Sequence, residues 1–201
     1  MIADNYKYKE IRCPVHLSIG QEAISAPLSC LFDKNDELVS GHRAHAHYLC
    51  KGGNLKSMIS EIYGKESGCS GGRGGSMHLT DLKCGFILST AIVANTIPIG
   101  VGLGLAKKIK NEKGVVIVFF GDGAIEEGVF YESINFAILK KLPIIFVCEN
   151  NNYSVYTSIN LRQPKSRPIY KMVKNMGIKS IKANGNQVIK VYDTFNKAKK
   201  F

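Results

Sequence analysis

Two short apolar runs, separated by an amphipathic stretch, place the strongest constraint on the fold of this 201-residue chain. Residues 115–120 (VVIVFF) and 143–148 (PIIFVC) carry no charge, as is typical of strands buried on both faces of a parallel sheet. Residues 126–141 between them have helical periodicity. Strands joined by a helical crossover run parallel, so this unit predicts an α/β fold with an open parallel sheet and flanking helices.

Polar clusters follow both strands, GDG after the first and ENNNY after the second. The carboxyl ends of parallel strands meet at one edge of the sheet, where open α/β folds bind ligands. Asp122 offers a carboxylate, Asn151 an amide oxygen and Tyr153 a backbone carbonyl, which are oxygen ligands of the kind that Mg²⁺ prefers. The amides of Gly123 and Ala124 open the next helix and favour an anion. The sequence therefore predicts a magnesium-bridged diphosphate at this edge.

The remaining elements are predicted from periodicity and turn residues. GQEAISAPLSCLF reads as one helix, and NLKSMISEIYG as a second one capped by Asn54. The glycine-rich stretch 68–75 is either a flexible linker or an ordered loop near a ligand, and Arg73 and His78 favour the loop. Three glycines, at 100, 102 and 104, follow Pro98 inside a helix. That position favours close helix packing over a dinucleotide fingerprint, which must follow a strand.

The net charge of +11 is unevenly distributed. Residues 1–160 hold 16 basic and 15 acidic side chains, whereas residues 161–201 hold 11 basic side chains and one acid. A basic segment can bind an acidic partner or simply form a solvated surface, and no motif predicts nucleic-acid binding. No apolar run is long enough to predict a membrane span. The start lacks a secretory pattern and the six cysteines form no CxxC pair, so we expect free thiols and a cytoplasmic location.

Several motifs together resemble one enzyme family. GDG, then 26 residues, then NN is the thiamine-diphosphate motif. The blocks HLSIGQEA, GHRAHAHYLCKGG, GCSGGRGGSMHL, IVANTIPIGVGLGLA and KLPIIFVCENNNYS resemble the alpha subunit of 2-oxo acid and acetoin dehydrogenases of the pyruvate dehydrogenase type. The resemblance covers residues 10–160 strongly. It implies the thiamine-diphosphate-binding fold, and specifically its diphosphate-binding half.

The resemblance also implies the roles of individual residues. His16 and His42 would lie at the substrate end as catalytic residues, with His42 standing where many relatives carry tyrosine. Val93 would be the apolar wedge beneath the cofactor, and Ala91 replaces a common glycine. The implied cofactor-binding residues are Arg43, Ala91, Val93, Asp122, Gly123, Ala124, Asn151 and Tyr153, of which Asp122, Asn151 and Tyr153 would hold Mg²⁺.

The implied function is that of an oxidoreductase subunit. It would bind thiamine diphosphate and Mg²⁺, act on a 2-oxo acid or acetoin, and pass an acyl group to a lipoyl-bearing acyltransferase. A beta subunit would supply the rest of the site, so we expect this chain to be inactive alone. Residues 1–201 would form one domain, incomplete at the C-terminus, with 161–201 only weakly assigned. The alternatives are another thiamine enzyme, of the transketolase or decarboxylase kind, and a non-catalytic fragment.

Other charged side chains have simpler interpretations. The histidines at 42, 45 and 47 could bind zinc, but phosphate and subunit contacts are the favoured interpretation. The glutamates at 126, 127 and 132 are expected on one helix, as surface charges and partners of the helix dipole. Glu22 is expected to be structural, because in the resembling family the glutamate that activates the cofactor belongs to the beta subunit.

Overall fold

The computed structural model describes residues 2–201. A main sheet is formed by β1 Glu37–Ser40, β2 Phe86–Ser89, β3 Val116–Gly121 and β4 Ile144–Glu149, and a hairpin by β5 Tyr153–Ser154 and β6 Thr157–Ser158. The helices are α1 Ile2–Tyr6, α2 Glu22–Ser25, α3 Leu28–Leu31, α4 His45–Cys50, α5 Leu55–Ile62, α6 Thr96–Lys110, α7 Gly128–Lys140, α8 Ile159–Arg162, α9 Ile169–Asn175 and α10 Val188–Lys199. A 3-10 helix, Asp122–Glu126, precedes α7.

The main sheet is parallel, with the strand order β2-β1-β3-β4. The crossover between β3 and β4 is α7, so the β-α-β unit and the open parallel sheet with flanking helices are confirmed. All four strands end at the same edge, where Gly121 pairs with Glu149 and Ser40 pairs with both Phe119 and Ser89. This shared edge determines where the segments after each strand can meet.

Alternating side chains along the strands fill two hydrophobic cores. Leu38, Ile117 and Phe119 face the first core, which α3, α4, α5 and α10 complete. Val39 and Val118 face the second core, which α6 and α7 cover, with α9 packed at its margin. Because both faces are covered, the central strands are apolar without alternation, as the sequence predicted.

Two of the three glycines of α6 contact the sheet rather than another helix. A Cβ at Gly100 would lie 2.3 Å from Cγ2 of Val118, and one at Gly104 would lie 2.6 Å from Cγ1 of Ile144. Close packing is therefore confirmed at these two positions. It is wrong at Gly102, where a Cβ would meet open space.

Two helix predictions have different outcomes. Asn54 caps α5 by accepting the Ser57 N–H at 3.0 Å, as predicted. The single helix predicted for GQEAISAPLSCLF is wrong, since the structure has two four-residue helices, α2 and α3. Pro27 lies between them and has no N–H to donate, so the first helix ends there.

The basic segment 161–201 packs onto the first core through α10. Phe195 of α10 meets Phe32 edge to face, with ring centroids 5.6 Å apart. Lys199 donates to Asp36 at 2.8 Å and to the Leu31 carbonyl at 2.7 Å. Thus part of the positive charge in this segment is paired inside the fold. No helix within residues 2–201 has both the length and the apolar character needed to cross a membrane.

Candidate functional site

The carboxyl edge of the main sheet carries nearly all of the predicted site residues. His42 and Arg43 follow β1, Ala91 and Val93 follow β2, Asp122 to Ala124 follow β3, and Asn151 and Tyr153 follow β4. His16 is the exception, since it lies in the loop before α2. One topological fact, the parallel direction of four strands, therefore places these segments at a common edge.

Asp122 begins the 3-10 helix at the end of β3, and its side chain is 1% exposed. Its carboxylate forms an ion pair with Arg162 of α8, whose guanidinium also pairs with Glu126. The prediction that Glu126, Glu127 and Glu132 share one helix is wrong. Glu126 ends the 3-10 helix, Glu127 precedes α7 without a side-chain capping hydrogen bond, and Glu132 lies within α7. The chain turns sharply after GDG, and this turn directs Glu126 towards Arg162.

The turn after β4 leads into a hairpin that packs against the 3-10 helix begun by Asp122. Asn151 Oδ1 accepts the Tyr153 N–H at 2.9 Å, and this contact closes a tight turn. Tyr153 lies in the β5–β6 hairpin. A Cβ at Gly123 would lie 2.6 Å from Oγ of Ser154, so the glycine lets this hairpin pack against the 3-10 helix.

The donor set at this edge fits a hard divalent cation. A buried carboxylate from Asp122, an amide oxygen from Asn151 and backbone carbonyls are the ligand types that Mg²⁺ takes, together with phosphate oxygens. Arg162 already satisfies the Asp122 carboxylate, so a cation there would have to compete with the guanidinium.

Two histidine rings flank the predicted diphosphate arginine. His16 and His42 meet edge to face with centroids 4.6 Å apart, and Arg43 donates to the Leu17 carbonyl. Burial lowers the pKa of His16, and the nearby charge of Arg43 adds to this effect. Burial also lowers the pKa of His42, with His16 and Arg43 contributing and Glu149 opposing. Both rings therefore favour the neutral form at pH 7 and can accept or donate a hydrogen bond.

The other two histidines of the cluster have separate partners. His45 Nε2 lies 2.8 Å from Oγ of Ser76, whereas His47 lies between Ser40 and Glu149. No group of three or more His, Cys, Asp or Glu side chains suited to a metal occurs in the part of the chain that the structure describes. The histidines thus contact protein groups individually instead of converging on one point.

The glycine-rich stretch is an ordered loop, as predicted, but the anion at its centre is Glu61 of α5. This carboxylate is fully buried and accepts four backbone N–H groups. Ser70 and Gly72 donate to Oε2 at 2.7 and 2.8 Å, and Gly74 and Gly75 donate to Oε1 at 2.6 and 3.1 Å. The loop therefore approaches a side chain of its own fold closely.

This loop in turn supports the segment after β2. His78 donates from Nδ1 to the Gly74 carbonyl at 3.2 Å and accepts the Ala91 N–H at Nε2, 3.4 Å away. Val93 is 54% exposed, and the following Ala94 has a left-handed φ of 65°. The exposed apolar side chain of Val93 stands at the sheet edge, on a turn that the loop helps to hold.

Sequence patterns did not predict the roles of Glu61 and Arg162. They also did not predict which residues contact His47. Glu61 is a polar position on an amphipathic helix, and such a position normally faces water. Arg162 belongs to a segment with neither periodicity nor a motif. The pattern contained no signal for these contacts, because each joins residues of different elements or loops and depends on packing.

Comparisons with known proteins identify the family of the chain. The model of the Dehydrogenase E1 component family matches residues 1–201. The pyruvate dehydrogenase E1 component subunit alpha of Rickettsia bellii (strain RML369-C) is 38% identical over 196 residues, or 98% of this chain and 60% of the relative. The mitochondrial E1 alpha subunit of Saccharomyces cerevisiae is 37% identical over 194 residues, or 96% of this chain and 45% of the relative.

A solved structure supports the fold. An enzyme from Mycobacterium smegmatis, described as thiamin diphosphate-dependent, superposes with a TM-score of 0.56 at 15% identity, over 94% of this chain and 30% of that one. The chain thus spans 60% or less of the length of these proteins. The family model matches the whole chain, and the motifs resemble the same family. The chain therefore belongs to the dehydrogenase E1 component family, and the relatives named here are its alpha subunits.

Proposed function

We propose that this chain binds the magnesium-diphosphate end of thiamine diphosphate in the E1 component of a 2-oxo acid or acetoin dehydrogenase complex. The observation that carries the proposal is that four parallel strands end at one edge of the sheet. Each strand is followed by at least one candidate cofactor-binding residue. The relatives named pyruvate dehydrogenase E1 alpha support it.

In this proposal, different residues bind the metal, the diphosphate and the rest of the cofactor. Asp122, Asn151 and the Tyr153 carbonyl hold Mg²⁺, while the amides of Gly123 and Ala124 and the guanidinium of Arg43 contact the diphosphate. A guanidinium suits this role because it stays charged and offers a fork of donors. Val93 would support the cofactor, and the Ala91 backbone would contact it. When bound, the cofactor supplies the electron sink for decarboxylation or carbon–carbon cleavage.

His16 and His42 face the substrate end in this proposal. Because burial keeps both imidazoles neutral near pH 7, each can accept a proton or hydrogen bond from a polar substrate atom. A beta subunit completes the site and a lipoyl-bearing acyltransferase accepts the acyl group, so the chain alone is inactive. The cytoplasmic location stays a prediction, since the relatives include bacterial and mitochondrial proteins.

The test is the affinity for thiamine diphosphate in the presence of Mg²⁺, measured by calorimetry on the chain assembled with its beta subunit. Asp122→Asn keeps the side-chain volume but removes the charge, and losing a charged ligand should weaken binding about 100-fold. Asp193→Asn, at an exposed acid of α10, is the matched control and should bind normally. Unchanged affinity in Asp122→Asn would refute the metal assignment.

A further inference from the structure

Two buried polar side chains and one partly buried glutamate form a bridge across the sheet edge. Ser40 is the last residue of β1, Glu149 is the last residue of β4, and His47 of α4 lies between them. The Ser40 Oγ to His47 Nδ1 distance is 2.8 Å, and the His47 Nε2 to Glu149 Oε1 distance is 3.2 Å. We call this arrangement the Ser40–His47–Glu149 bridge.

The bridge joins two strands that are not neighbours. β3 lies between β1 and β4 in the sheet, so no backbone hydrogen bond connects them. The His47 ring spans the gap by stacking on Phe119 of β3, with centroids 3.9 Å apart and an interplanar angle of 26°. Side chains therefore link the ends of β1 and β4 directly, in addition to the sheet itself.

Two of the three side chains in the bridge are buried. Ser40 and His47 are 1% and 2% exposed, so water cannot readily replace a lost partner. A carboxylate only accepts hydrogen bonds, so His47 donates to Glu149 from Nε2–H. The Ser40 hydroxyl has two possible acceptors, His47 Nδ1 and the Gly41 carbonyl 3.1 Å away. Ring stacking and hydrogen bonds at both nitrogens together fix the orientation of the imidazole.

The residues next to the bridge carry the proposed cofactor contacts. Gly41, His42 and Arg43 follow Ser40 directly, and Asn151 lies two residues after Glu149. Glu149 also acts electrostatically on His42, whose pKa it raises against the larger effect of burial. The length of the bridge thus sets the spacing between the arginine turn and the metal-side turn.

A serine, a histidine and a glutamate in hydrogen-bond contact also resemble a hydrolytic triad. A nucleophilic serine must be reachable by its substrate, whereas Ser40 is 1% exposed at the end of a central strand. Its hydroxyl lies against the Gly41 carbonyl and the His47 ring. The contacts therefore support positioning and not attack on a substrate.

We propose that His47 is a positioning residue, which holds the Arg43 turn and the Asn151 turn at the separation that magnesium diphosphate requires. This inference rests on the proposed function. It predicts that the bridge affects cofactor affinity beyond its contribution to stability. Partners that orient a metal site from outside its ligand set typically change affinity by about 10–100-fold when removed.

The experiment compares variants of the chain assembled with its beta subunit. His47→Ala should bind thiamine diphosphate with Mg²⁺ about tenfold more weakly. His47→Gln should recover part of the loss, because its amide can still donate to Glu149. Ile134→Ala truncates a buried side chain in the core on the other face of the sheet and serves as the control. It should lose as much thermal stability yet keep its affinity within about twofold.

Hydrogen exchange provides the second measurement. In His47→Ala, the amides of residues 41–44 and 149–153 should both exchange faster, whereas Ile134→Ala should leave both turns protected. If His47→Ala does not fold, Ser40→Ala and Glu149→Ala each remove one hydrogen bond of the bridge and are compared by the same two measurements. An equal loss of affinity in Ile134→Ala would overturn the proposal, as would unchanged affinity in a folded His47 variant.

The same experiments give a different result if the proposed function is wrong. If the unmodified assembly does not bind thiamine diphosphate, the assignment of the cofactor is wrong. Exchange at the two turns then still tests the bridge, and unchanged protection in His47→Ala would overturn it.

Discussion

At the scale of single residues, Glu61 shows how a buried charge can organise a loop. A carboxylate out of contact with water needs hydrogen-bond donors on both oxygens, and four loop amides supply them. The same contacts require small residues, since a Cβ at Gly68 would lie 2.3 Å from Oε2 of Glu61. The glycines and the glutamate are therefore one structural unit, although they lie on different elements.

Replacing Glu61 by glutamine should destabilise the fold by about 2–4 kcal/mol, because the amide NH₂ would face backbone donors that have no other acceptor. Urea unfolding measures the loss, and limited proteolysis should cut the variant within residues 68–76. Glu66→Gln is the control, since Glu66 is exposed. Equal stability of the two variants would show that the four contacts are not needed.

The site residues divide into those that sequence could predict and those that it could not. Asp122 and Asn151 were predicted because strand ends are visible as the limits of apolar runs, and parallel strands share an edge. Arg162 was not predicted, although it pairs with Asp122, because that pair joins residues 40 positions apart. Pattern reasoning identifies a residue's element and face, whereas pairing across the chain depends on packing.

At the scale of elements, α6 shows that a glycine's position relative to the sheet determines its role. Gly100 packs against Val118 of β3, while Gly102 lies on the side of the helix where a Cβ would meet nothing. Periodicity alone would treat both as one small-residue stripe. The structure separates them because they are about 200° apart around the helix.

Alanine substitutions at these two glycines should have opposite effects. Gly100→Ala should cost about 1–3 kcal/mol, because the new methyl group meets a β-branched side chain of a central strand. Gly102→Ala should stabilise the fold by about 0.5–1 kcal/mol, because glycine is a poor helix former. Chemical denaturation of both variants provides the comparison. A destabilised Gly102→Ala would contradict the packing described for α6.

The segment from β5 to α8 covers the GDG turn and brings a cation to it. Arg162 pairs with both Asp122 and Glu126. Ser154 of the hairpin packs against Gly123. The sequence did not predict this arrangement, because two-residue strands are too short for periodicity to reveal. In this structure the positive charge beside Asp122 is supplied by the chain itself.

Removing Arg162 should make the fold more responsive to Mg²⁺. In Arg162→Gln the buried Asp122 carboxylate loses its cation, so the melting temperature without metal should fall. Added Mg²⁺ should then raise it more than in the unmodified chain, because the ion no longer competes with a guanidinium. Arg167→Gln is the matched control, since Arg167 contacts Gln163 in the same segment. Equal magnesium responses in the two variants would contradict competition at Asp122.

At the scale of the whole molecule, the fold places three partly or fully buried histidines near the carboxyl end of β1. Burial is the largest cause lowering the pKa of His16, of His42 and of His45. All three lie on segments near the end of β1 or on the loop before α2. The folded chain therefore resists protonation at sites where the unfolded chain would accept protons at their ordinary pKa of about 6.5.

This difference predicts how stability depends on pH. Above about pH 6.5 these histidines are neutral in both states, and the free energy of unfolding keeps its full value. As pH falls from there towards the lowered pKa values of the folded state, only the unfolded chain takes up protons, so stability decreases.

Urea unfolding midpoints at about pH 7.5 and about pH 5.5 should therefore differ, with the lower midpoint in acid. His45→Gln should reduce that difference, because the His45 ring is 6% exposed and contacts Oγ of Ser76. His78→Gln, at an exposed position, serves as the comparison. It should keep the difference between the two unfolding midpoints. An unfolding midpoint that is the same at both pH values would show that these rings are protonated as readily in the fold as in the unfolded chain.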